Sequence, residues 1–191
     1  MSIQRNENKH FTFQDFLSWD EGSRYEIFDG APVLLASPTT KHQGVVSFLT
    51  IEFGMHLKGR ECKVFPSPFT VRFSEVDDYE NADNVFEPDI SIVCNKNQLD
   101  LYGCKGAPNL VVEVLSPSTS RNDRIKKYNA YQRFGVSEYW IVDPLNETVE
   151  VYVLNTGTYK RGNVYGREDV IKSQQFESLE IIGEEMFSYG E

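Results

Sequence analysis

Leu110-Val-Val-Glu-Val-Leu115 is the segment that most restricts what this chain can fold into. It is apolar at odd and even positions alike, so a strand made of it has no face suited to water. Such a strand belongs inside a mixed or parallel sheet, covered on both sides. Glu113 interrupts the run, and a carboxylate there must be compensated against a large desolvation cost. Two readings are open. Glu113 reaches solvent or pairs with a lysine, as most glutamates do, or it is a metal ligand or catalytic acid.

The flanking sequence supplies the layers that such a strand needs. Phe11 to Trp19 suits a short amphipathic helix, with Phe13, Phe16 and Leu17 at helical spacing. Tyr25 to Phe28 and Ala31 to Leu35 read as strands joined at Asp29-Gly30, a strong hairpin signal. Thr39 or Thr40 caps a helix from about Lys41 to Lys58, whose apolar stripe is Val45, Phe48, Leu49, Phe53 and Leu57. Lys63 to Phe73 contains Pro66 and Pro68, so its start is irregular or an edge strand. Glu75 to Asp83 is an exposed acidic loop, and Pro88 leads into a strand ending near Cys94. After Ser116-Pro-Ser-Thr119 a helix spans Asn122 to Phe134, with Gly135 as its stop. Two strands, 137–142 and 148–153, turn at Asp143-Pro-Leu-Asn146. The tail reads as a further hairpin carrying Tyr159, Gly162, Tyr165, Val170 and Ile171, followed by a polar end. Strand, helix and strand around 110–115 give an α/β or α+β architecture.

The 191 residues fit one domain, 1–191, with its first ten residues flexible. Thirteen Phe and ten Tyr argue against disorder elsewhere. No apolar run is long enough to span a bilayer and the polar N-terminus lacks a signal-peptide core, so no membrane partner is expected. Cys62, Cys94 and Cys104 are an odd number without CxxC spacing, which predicts no disulfide framework and a cytoplasmic setting. Scattered Cys and His likewise lack zinc-ligand spacing. The formal charge of −10 opposes an extended basic surface for nucleic acid. Locally, however, Arg121, Arg124, Lys126 and Lys127 place four of the 19 basic residues within seven positions. Such a cluster suits phosphate contact or a solvated helix face.

Asp89, behind Pro88 at a strand entrance, is a second acid beside an apolar run. Two carboxylates on neighbouring strands suit a hard cation such as Mg²⁺. Lys127, Tyr131 and Phe134 fall at i, i+4 and i+7, which sets Lys127 at the border of a buried face. There it either approaches the carboxylates or forms a surface pair with Asp123 at i, i+4. Ser116 and Ser118, where strand gives way to helix, are placed for ligand contact or for capping.

These residues carry a resemblance. Pro88-Asp89 followed by Glu113-Val114-Leu115 resembles the PD-(D/E)XK motif of restriction-endonuclease-like nucleases. More specifically, residues from about 25 to 154 resemble the Uma family of bacterial endonucleases. The matching stretches are Tyr-Glu-Ile-Phe-Asp-Gly (25–30), His42, Pro-Asp-Ile-Ser-Ile-Val (88–93), the run 105–119, Asp-Arg-Ile-Lys-Lys-Tyr (123–128) and Gly-Val-Ser-Glu-Tyr-Trp-Ile-Val-Asp-Pro (135–144). The resemblance implies a restriction-endonuclease-like core: a central mixed β-sheet flanked by helices, with extra N-terminal and C-terminal β-hairpins. It implies Mg²⁺, with Mn²⁺ as substitute, held by Asp89, Glu113 and the carbonyl of Val114, and DNA as partner. Where the motif has lysine this chain has Leu115, and Lys127 matches the family's lysine on the following helix. Glu26 and His42 also match family positions, the first as a further acid or a partner of Arg24, the second as a site residue or a packed cap. The function implied is metal-dependent hydrolysis of DNA phosphodiesters. Its rivals are a non-cleaving nucleic-acid or protein binding module and a self-associating homo-oligomeric scaffold.

Overall fold

The computed structural model describes residues 9–19, 24–117 and 120–190. The expectations for most of the first ten residues and for Ser118 lie outside that range. Helix α1 (Phe13–Leu17) opens on a capping box in which Asp15 accepts from the Thr12 backbone N–H at 3.0 Å. Phe13 is buried, but Leu17 is exposed, because this five-residue helix has too few turns to carry the stripe that its spacing suggested. Strands β1 (Tyr25–Phe28) and β2 (Ala31–Leu34) form the expected hairpin. Asp29 and Gly30 take φ of 45° and 76°, the pair of left-handed residues that follows strand twist in a two-residue turn. Helix α2 (Thr40–His56) starts at Thr39, whose hydroxyl accepts from the His42 N–H at 3.2 Å. Its expected stripe, including Leu57 just past its end, is buried.

The remaining elements follow in order: β3 (Lys63–Pro66), β4 (Thr70–Phe73), β5 (Asn84–Phe86), β6 (Ile90–Val93), β7 (Leu99–Asp100), β8 (Gly103–Lys105) and β9 (Leu110–Val114). A π-helical stretch, Asn122–Lys127, then runs into α3 (Tyr128–Phe134), which Gly135 ends at φ 88°. Strands β10 (Glu138–Asp143), β11 (Thr148–Asn155), β12 (Thr158–Gly166), β13 (Val170–Lys172) and β14 (Glu180–Ile182) precede α4 (Gly183–Ser188).

The central sheet has the order β12-β11-β10-β9-β6-β3. β9 is parallel to β10 and antiparallel to β6, so the apolar run lies inside a mixed sheet and all five of its residues are buried. Proline-ended β3 takes the edge, where a missing N–H breaks no inner ladder. On one face Val112, Val114 and Trp140 pack with Phe53 of α2 and Met186 and Phe187 of α4. On the other, Val111, Leu115 and Tyr139 pack with Tyr131 of α3 and with Phe73 and Phe86 of a second sheet. That second sheet, β2-β1-β5-β4-β8-β7, carries the N-terminal hairpin. The architecture is the mixed sheet with flanking helices that the sequence led us to expect.

Two expectations about the C-terminal tail fail. Thr158–Gly166 does not belong to a separate terminal hairpin but extends the central sheet beside β11, and β13 and β14 form that hairpin instead. The end read as polar forms α4, with Met186 and Phe187 fully buried; two apolar residues among acids show no period. Glu138 holds this tail to the sheet. Its carboxylate accepts from the Trp140 indole, the Ser173 hydroxyl and the backbone N–H groups of Gln174 and Gln175. The cysteine expectation is also corrected: Cys62 and Cys94 form a disulfide. Antiparallel β3 and β6 pair Lys63 with Val93, which brings together cysteines 32 residues apart in sequence. Cysteine usage therefore carries no argument about compartment.

Candidate active site

Alternation along β9 puts Val112 and Val114 in one core and Val111 and Leu115 in the other, so Glu113 faces the side of the sheet that carries α3. β6 pairs Ile90 with Val112, and one further step of that register sets Asp89 across from Glu113. Both acids thus lie on one face. Asp89 Oδ2 accepts from the Val114 N–H at 2.8 Å and lies 3.2 Å from His42 Nε2, and the Asp89 carbonyl accepts from Ser67 N–H at 3.0 Å. The α2 N-terminus, fixed by its Thr39 cap, is what brings His42 to Asp89.

Lys127 occupies the centre. Its Nζ lies 2.9 Å from Glu113 Oε1, 2.8 Å from Glu26 Oε1 and 3.7 Å from Asp123 Oδ1. Tyr131, one turn on, donates its hydroxyl to the same Glu113 oxygen at 2.6 Å. Glu26 reaches in from the hairpin strand β1 and also accepts the Glu87 N–H at 2.9 Å; Arg24, its alternative partner, pairs with Glu87 instead. The stretch that carries Asp123 and Lys127 is π-helical, a widened turn often found at functional positions. The Asp123–Lys127 pair is buried, not a surface contact.

Electrostatics follow from burial. Desolvation pushes the Glu113 carboxyl well above the usual range, and the Asp123, Asp89 and Glu26 carboxylates add to that push, against the pull of Lys127. Burial alone would lower Lys127, but Glu113, Glu26 and Asp123 outweigh it and hold the amine protonated. Burial likewise opposes protonation of His42, and Asp89 outweighs it, so its pKa is raised. Tyr131 stays a neutral donor because burial and Glu113 both raise it.

Five carboxyl groups, Glu26, Glu87, Asp89, Glu113 and Asp123, therefore share one cleft with Lys127, Arg24 and His42. The cleft has a volume of about 130 Å³ and is lined by Glu26, His42, Asp89, Glu113, Val114, Ser116, Asp123 and Lys127, among others. An excess of buried carboxylate over fixed cation suits a hard divalent ion. Among the described residues no three His, Cys, Asp or Glu side chains gather tightly enough to form a closed cage. Mg²⁺ needs no such cage, since it keeps several waters and takes only one or two carboxylates. The donor set fits.

Every candidate, Asp89, Glu113, Lys127, Glu26, His42 and Val114, comes to this cleft. The sequence reading missed Asp123, taken as half of a helix-surface pair, and Tyr131, taken as core. Their spacing with Lys127, at 123, 127 and 131, was the available signal. The basic cluster does not face the site as a unit. Arg124 pairs with Glu150 and Asp143, Lys126 lies over the Phe28 ring at 5.4 Å, and Lys127 alone turns inward.

Comparison with known proteins gives the fold and the family. A crystal structure described as a "putative nuclease belonging to DUF820" from Anabaena variabilis superposes with a TM-score of 0.76 at 21% identity, covering 95% of this chain and 99% of that one. The fold is therefore the restriction-endonuclease-like one. The chain belongs to the Uma2 family, whose model, described as "Putative restriction endonuclease", matches residues 13–182. An uncharacterized Synechocystis protein, slr1290, is 28% identical over 145 residues, 74% of this chain and 73% of that protein.

Proposed function

We propose that the protein is a metal-dependent nuclease that hydrolyses DNA phosphodiester bonds. The observation that carries the reading is that Asp89 and Glu113 share one cleft, in which the buried Lys127 amine lies against Glu113, Glu26 and Asp123. Asp89 and Glu113, with the Val114 carbonyl beside them, are the groups to hold Mg²⁺ or Mn²⁺. When bound, such an ion supplies Lewis acidity and a more acidic water. The chain does the rest. Lys127, kept protonated by its carboxylates, serves as a fixed positive charge that orients water and stabilises charge developing on a phosphate; as a proton acceptor it is disfavoured. Glu26 and Asp123 hold that amine in place. Tyr131 orients Glu113, and His42 with the Val114 N–H orients Asp89.

The test is cleavage of plasmid and oligonucleotide DNA with and without Mg²⁺ or Mn²⁺. Asp89→Asn and Glu113→Gln should lower the metal-dependent rate by about 100-fold or more, the scale on which one lost charge-stabilising group acts. Equal cleavage by the wild type and both variants would reject the site. A non-cleaving binding module is favoured by the charge of −10 and by Leu115 at the motif's lysine position. Calorimetric titration with Mg²⁺ separates the two, since an inert scaffold need not lose metal binding when Asp89 and Glu113 are replaced.

A further inference from the structure

The cleft has two unlike parts. At its floor, Glu26, Glu113, Asp123 and Lys127 have side chains no more than 5% exposed. At its mouth, the β2–α2 connection supplies an aliphatic wall of Leu34, Leu35, Ala36 and Pro38, with Leu34 61% exposed. Arg24, whose carbonyl accepts from the Leu35 N–H at 2.9 Å, also lines the cleft, and Glu87 holds its guanidinium at 2.6 Å. Cations beyond the cleft are answered in the same way: Lys41 by Glu147, Arg124 by Glu150 and Asp143, and Arg133 by Glu75 and Asp29.

Duplex DNA is held largely through its phosphates, about one charge per 1.7 Å of axis, by lysines and arginines free to replace counterions. Here Arg24, Lys41, Arg124 and Lys127 are already held by carboxylates, which leaves few cations near the cleft to replace counterions, and the net charge of −10 repels so dense a polyanion. A stiff duplex also keeps its base faces stacked inside, where an aliphatic wall cannot reach them. A separated strand has a lower charge density, bends into a narrow opening, and presents apolar base faces for side chains to pack on.

We propose that this cleft takes an unpaired DNA strand in preference to intact duplex. The nucleotide next to the scissile phosphate packs on the 34–38 wall while the phosphate reaches the buried floor. The proposal rests on the phosphodiesterase reading but is tested apart from it. Binding is measured by fluorescence anisotropy with metal-free Asp89→Asn protein and one labelled oligonucleotide, alone and annealed to its complement. The single strand should bind at least about tenfold more tightly, or about 1.4 kcal/mol. Leu34→Ser, which removes the apolar side chain without adding charge, should in that background weaken single-strand binding by about tenfold and leave duplex binding unchanged, while Leu34→Met keeps the single-strand affinity. Leu34 is exposed, so the fold is not at stake. Duplex bound as tightly as single strand, or single-strand binding indifferent to Leu34→Ser, overturns the inference. Wild-type cleavage with Mg²⁺ separates the two claims. Equal rates on both substrates overturn the substrate preference alone, whereas a persistent single-strand binding preference without any metal-dependent cleavage overturns the nuclease reading alone.

Discussion

Lys127 is hydrogen-bonded to two carboxylates and close to a third, and its side chain is almost wholly excluded from water. Three acids so placed are tolerable only while that ammonium remains among them. Lys127→Met should therefore cost about 3–5 kcal/mol in urea unfolding, the usual penalty for removing one member of a buried ionic network. Adding Glu26→Gln should recover part of it, because one uncompensated charge is removed. His42 gives a pH signature. Its folded-state pKa is raised by Asp89, so its pairing stabilises the fold fully below the unfolded value near 6.5 and fades as pH rises through the higher folded value. The Tm difference between wild type and His42→Gln should be widest below about pH 6.5 and narrow on the alkaline side. A gap that widens with pH would contradict the pairing.

Among elements, the link between β9 and α3 decides the site. β9 fixes Glu113 by alternation, and the π-helical stretch sets Lys127 and Tyr131 over it. Two glycines show how differently the backbone is constrained around this frame. Gly135 ends α3 at positive φ with open space where a Cβ would stand, so Gly135→Ala should cost about 1 kcal/mol, the conformational term alone. Gly103 also has positive φ, and a Cβ there would lie 2.1 Å from the Thr70 carbonyl oxygen across the parallel β4–β8 pair. Gly103→Ala should be at least about 2 kcal/mol worse than Gly135→Ala in the same denaturation experiment, since strand separation adds to backbone strain.

For the whole molecule, the charge of −10 and the pairing of its cations predict how any nucleic acid is held. A protein that engages only two or so phosphates should show a log K against log salt slope no steeper than about −2 with single strands. A slope of many units, measured by anisotropy at several salt concentrations, would contradict this and reveal an extended basic track. No helix among the described residues is long and apolar enough to cross a membrane. The C-terminal segment belongs to this scale too, because α4 closes the core under the central sheet and Glu138 holds the preceding turn.

The sequence by itself determined the buried strand at 110–115, the hairpin at Asp29-Gly30 and the helix stop at Gly135, and it set Asp89 and Glu113 on two strands without fixing that they share a face. Each follows from local rules of period, turn chemistry or strand alternation, which act over a few residues. Helical spacing offered Lys127 and the family likeness added Glu26 and His42 as candidates, but neither gave their arrangement. Only the tertiary structure decided that the Lys127 amine lies between Glu26 and Glu113, that Asp123 is buried and that Tyr131 donates to Glu113. It alone decided that Cys62 meets Cys94 and that Met186 and Phe187 complete the core. The physical reason is common to all of these. They depend on the distance between elements far apart in sequence, which is set by how whole faces pack.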